Sequence, residues 1–144
     1  MNPGEGSAEQ MISRALIIVE EAEYLDEKGA WNLVVRRSQE AVELALKAAL
    51  CWARIEVPRI HDVGPVLKQH ADRYPAPFRS RILHLASISR QLRAEREISF
   101  YGDEQSGMGP EGLYTREDAS EALSKAREVL SACQNLMEAV EVGH

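Results

Sequence analysis

The residues of this chain best suited to chemistry lie in one short stretch, from Arg93 to Glu104. Arg96 continues the apolar spacing Ile88, Leu92, Arg96, so a guanidinium falls in line with core positions. Guanidinium does not shed its proton to escape burial. Arg96 must therefore cap the carbonyls of a helix end, pair with a carboxylate, or meet an anionic ligand such as a phosphate. Arg93 stands one turn earlier and reinforces each of these readings. Tyr101 follows five positions later and offers a phenol whose ordinary pKa of about 10 makes it a poor general base at neutral pH. Asp103 and Glu104 are adjacent carboxylates. Two such groups on a loop make a weak cation site, and their plainer use is pairing with Arg93 or Arg96.

His61 and Asp62 form a second candidate binding pair, an imidazole beside a carboxylate. Asp62 is equally well placed to cap the helix that follows it. His70 and His84 read as helix-surface or boundary residues. Arg54 and His61 also have six residues between them, but Pro58 separates them and the pair reads as accidental. Cys51 and Cys133 sit in helical apolar patterns and read as buried free thiols, in keeping with a cytoplasmic protein. No nucleophilic triad, phosphate-cradling Gly loop, metal-ligand set or cofactor motif is present.

These residues need a scaffold, and the composition points to helices. Prominent Leu, Ala, Glu, Arg and Gln favour an all-α fold, and 144 residues suit one domain. The net charge of -6 is uneven: residues 1–100 carry 14 acidic and 14 basic side chains, whereas 101–144 carry 9 and 3. A domain-wide polyanion-binding surface is thereby disfavoured, while a local basic strip remains open. The apolar runs are too short to span a bilayer, and no signal-peptide pattern is present.

The expected order starts with a flexible leader over 1–7, then a helix capped by Ser7 that runs to Glu27 and is broken by Gly29. The second helix spans Trp31 to Arg54. Asp62 caps a short third helix ending near Asp72, and a fourth runs from Pro77 or Phe78 to about Ser99. A loop covers Gly102 to Leu113. Thr115, with Asp118, then caps a last helix reaching Val140. This predicts an antiparallel four-helix bundle with an additional short helix, one domain over 8–141 and a flexible end over 142–144.

Four segments in this order resemble the HEPN domain family: SQEAVELALKAAL from Ser38 to Leu50, HDVG from His61 to Gly64, REISFYGDE from Arg96 to Glu104, and Tyr114 followed by TREDASEAL. The likeness runs from about Glu9 to Val140. It implies a helical bundle that commonly forms homodimers, and for many members a minimal nucleotidyltransferase partner in toxin-antitoxin systems. Other members are metal-independent RNA endonucleases whose signature is an Arg, four to six residues, then His. Arg96 matches that Arg, but Tyr101 stands where His would fall, and no His occurs from Leu85 through Gly143.

The leading expectation is a non-catalytic HEPN-like module that recognises a nucleotide or RNA phosphate, or a protein partner, through Arg96, Arg93 and Tyr101. The alternatives are a divergent endonuclease or toxin using Arg96 and Tyr101 in a dimer cleft, and a structural homodimeric adaptor.

Overall fold

The computed structural model describes residues 3–57, 59, 62–101 and 110–139, with residues 3–7, 96–101, 110 and 111 described by their backbone alone. Four long helices carry the fold: α1 (Pro3–Glu27), α2 (Trp31–Trp52), α5 (Ile82–Tyr101) and α7 (Arg116–Met137). Between them lie three short ones, α3 (Gly64–Gln69), α4 (Ala76–Arg79) and α6 (Pro110–Leu113), and a 3-10 turn at Ala71–Arg73. The expected all-α architecture is what is observed.

α2 is the central element, because it packs against α1, α5 and α7 at once. Its small residues explain how. Ala41, Ala45, Ala48 and Ala49 are buried, so neighbouring helices approach its backbone closely with little entropy lost from side chains. Gly29, at φ 74°, ends α1 while Ala30 N–H bonds Leu25 O and Gly29 N–H bonds Asp26 O, a left-handed cap that turns the chain straight into α2. Arg54 makes the same cap for α2 at φ 59°, with Ile55 N–H on Leu50 O. This is why α2 stops at Trp52 and not at Arg54.

Other boundaries also differ from expectation. α1 starts at Pro3, where proline's missing N–H costs a first turn nothing, so Ser7 lies inside the helix and not at its cap. The expected fourth helix is split. Pro75 N-caps the short α4, and the chain turns through Ser80 and Arg81 before α5 begins. The break is anchored by Tyr74, which is buried, donates its hydroxyl to Ala49 O at 2.8 Å, and packs between Trp52 and Phe78 at ring separations of 5.8 and 4.9 Å. Thr115 caps α7 as expected, in a reciprocal box with Asp118. Val140 and the 142–144 end lie outside the described residues.

α5 and α7 run antiparallel. Arg81 and His84 meet Glu128, while Tyr114, just before α7, meets Glu95. They scarcely touch each other, although both pack on α2. That arrangement leaves a cleft between them.

Candidate functional site

α5 carries the main sequence candidates. Arg93 is exposed on it, and Arg96 and Tyr101 belong to its last turns, where the backbone alone is described. The helix is two residues longer than the apolar pattern implies, which takes Tyr101 into regular helix. His61, Asp103 and Glu104 lie outside the described residues.

Asp62 has a structural position. It stands ahead of α3, whose N-cap is Val63, so it is not the cap itself. One carboxylate oxygen, Oδ1, accepts both Gly64 N–H at 3.1 Å and Ser89 Oγ at 3.2 Å. The short α3 is thereby tied to α5. Gly64 is required there, since a Cβ at that position would fall 2.9 Å from Ala86 Cβ.

The cleft between α5 and α7 encloses about 530 Å³. Val35, Leu92 and Ala122 form its apolar base, and each is nearly covered. Glu95, Asp118 and Glu121 stand around it. Two polar bridges cross it. At one end Tyr114 donates its hydroxyl to Glu95 Oε2 at 2.6 Å, and at the other Lys125 Nζ donates to Gln91 Oε1 at 2.8 Å. Lys125 also pairs with Glu121 at 2.8 Å. Desolvation first, then the hydrogen bond and charge of Glu95, push the Tyr114 phenol well above its ordinary range. It is a proton-holding donor here and not a base.

Such a lining suits cations and hydrogen-bond donors and disfavours phosphate, because carboxylates repel a polyanion. Among the described residues no group of three His, Cys, Asp or Glu side chains is spaced to hold a metal ion. Cys133 is fully buried, and burial lifts its thiol to about 12; Cys51 is half-buried beside Met11, with its thiol also raised by burial. Neither is an activated nucleophile. No helix among the described residues is long and apolar enough to cross a membrane.

The sequence reading passed over this cleft. Gln91 and Glu95 flank Leu92 in the chain, and Glu121 precedes Lys125 by four positions, so the local signals existed. Taken locally, each pattern is that of an ordinary solvated helix face, and only the antiparallel pairing of α5 with α7 brings them together.

Comparison with known proteins follows the same outline. A family model described as HEPN domain matches residues 8–136. The crystal structure of ST0689, an archaeal HEPN homologue, is similar at 26% identity with a TM-score of 0.69, covering 91% of this chain and 98% of that one. No curated protein matches.

Proposed function

Because the chain belongs to the HEPN domain family, we propose that it acts as a recognition module that binds a macromolecular partner and does not cleave RNA by the family's Arg and His chemistry. The residue at position 101 carries this reading. A tyrosine there, five positions beyond Arg96 with four residues between, stands where the ribonuclease signature has its imidazole. An imidazole near pKa ~6.5 exchanges protons at pH 7, and a phenol near ~10 does not do so comparably.

Helix geometry bears on how Arg96 and Tyr101 could act together. At about 100° per residue, positions 96 and 101 of a continuous helix are separated by about 140° around its axis, and α5 is continuous through Tyr101. One α5 does not by itself bring these two positions onto one face.

The cleft beside this helix end favours a protein partner, for its described lining combines aliphatic side chains with three carboxylates and one lysine. A minimal nucleotidyltransferase is the partner class that the family resemblance supplies, with a homodimer as the scaffold that meets it. A second reading, recognition of a nucleotide or RNA phosphate, has one observation in its favour: Arg93 is exposed three residues before Arg96, on the same helix.

The test is digestion of single-stranded RNA in the presence of EDTA by the unmodified protein and by Arg96→Ala, with calorimetric titration of nucleotides alongside. Intact RNA is the expected result. Cleavage by the unmodified protein that is lost in Arg96→Ala would establish the endonuclease alternative and end this proposal. Saturable nucleotide binding that disappears in Arg96→Ala would move the assignment to phosphate recognition.

A further inference from the structure

The cleft between α5 and α7 is spanned by two side-chain hydrogen bonds. Tyr114 on Glu95 makes one, and Lys125 on Gln91 makes the other. Between them lies an apolar base with carboxylates above it, a combination that complements a long side chain with an aliphatic stem and a cationic head. We infer that this slot is the docking site for an arginine or lysine side chain presented by a short apolar segment of a protein partner.

The accounting of polar atoms directs the choice of occupant. Glu95 Oε2 is engaged by Tyr114, and the hydrogen bond leaves the carboxylate its charge. Asp118 Oδ2 accepts the Thr115 N–H of the capping box, and Glu121 Oε1 pairs with Lys125. Among the described residues of the lining, Lys125 is the one cation against three carboxylates, a negative surplus on that part of the slot. A guanidinium or ammonium placed over Leu92 and Ala122 neutralises that surplus and supplies donors to the remaining oxygens.

The size agrees. About 530 Å³ falls in the range of sites that enclose a sizeable ligand, enough for one long side chain with part of its flanking segment. A bare metal ion is a poorer fit, since these carboxylates are spread along two helices and form no ligand cluster among the described residues. Nucleic acid is poorer still, because its phosphates would face Glu95, Asp118 and Glu121.

The inference rests on the partner-binding reading and specifies the chemistry of the contact. It is tested on the full chain by following backbone amide resonances during titration with the blocked peptide acetyl-Ala-Leu-Arg-Leu-Ala-amide. A second peptide carries citrulline in place of arginine, which keeps the shape and removes the charge.

Saturable shifts centred on Gln91, Leu92 and Ala122 are expected with the arginine peptide. The affinity falls at least tenfold with citrulline, and by a similar factor in the double variant Glu95→Gln, Glu121→Gln, whose amides still accept the Tyr114 and Lys125 bonds. Equal affinity for both peptides, shifts centred elsewhere, or no saturable shift would overturn the slot. So would displacement of the peptide by oligouridylate.

The two proposals fail separately. Arg96-dependent RNA cleavage would remove the non-nucleolytic reading whatever the peptide does. An inert slot would remove the docking site and leave the Tyr101 argument untouched.

Discussion

Gly64 lies so close to Ala86 that a methyl group on Gly64 would sit 2.9 Å from Ala86 Cβ and 3.2 Å from Ala86 Cα. Neither atom is the end of a flexible chain, so α3 or α5 would have to shift. The same methyl would press on Asp62 Oδ1 at 3.1 Å, the atom that accepts both Gly64 N–H and Ser89 Oγ. Gly64→Ala is therefore expected to destabilise the fold by about 1–3 kcal/mol, the usual cost of overpacking, despite alanine's better helix propensity. Urea unfolding followed by circular dichroism measures it, and an unchanged midpoint would show that α3 yields at little cost.

The HDVG segment illustrates what the sequence conveyed and what it withheld. Its resemblance value was plain, and Asp62 was recognisable as a residue that serves a helix start. Its bond to Ser89 and the contact of Gly64 with Ala86 were not, because each joins positions more than twenty residues apart. The same limit applies to the cleft. Long helices were visible from the spacing of Leu85, Ile88 and Leu92 or of Ala122, Ala126 and Val129, all buried as the pattern requires. Which polar edges of α5 and α7 would face each other depends on the way both pack on α2, and no local period encodes that.

Arg54 ends α2 in a left-handed conformation that glycine adopts without strain, and Gly29 holds the equivalent place after α1. A non-glycine residue with φ 59° carries a steric cost of about 1 kcal/mol. Arg54→Gly relieves it, partly offset by the greater freedom of glycine in the unfolded chain. A net gain of at most about 0.5 kcal/mol is expected in thermal or urea unfolding. A loss would mean that the Arg54 side chain contributes contacts worth more than the strain.

Alkaline pH should weaken the fold through Cys133. Complete burial raises its thiol from an ordinary 9.0 to about 12. A group whose folded value is raised stabilises the fold fully below its unfolded value, and that contribution is lost as pH climbs from about 9 toward 12. In that window the thiol alone costs about 1.4 kcal/mol per pH unit, because the unfolded chain has released a proton that the folded chain retains. Tyr74 and Tyr114 act in the same direction at higher pH. Cys133→Ala should lower stability at pH 8 through the lost packing, yet show a shallower decline between pH 9 and 10.5. Parallel declines in the two proteins would remove Cys133 as the cause.

Ser38 gives a prediction of the opposite sign. It begins the most family-like stretch of α2 and falls among Val34, Val35 and Val42, and its hydroxyl is fully buried with no hydrogen-bond partner among the described residues. An unpaired buried hydroxyl costs free energy, and serine is a poorer helix former than alanine. Ser38→Ala should therefore stabilise the protein by about 1 kcal/mol. Gln39 beside it is a useful contrast. Its Oε1 is likewise unpaired, but its Nε2 donates to Glu43 at 3.1 Å, so Gln39→Ala removes a bond and packing together and should destabilise. Opposite shifts in the unfolding midpoints of the two variants would confirm that α2 tolerates an idle hydroxyl at Ser38 and uses the amide at Gln39. A destabilised Ser38→Ala would show instead that the buried hydroxyl is engaged in solution.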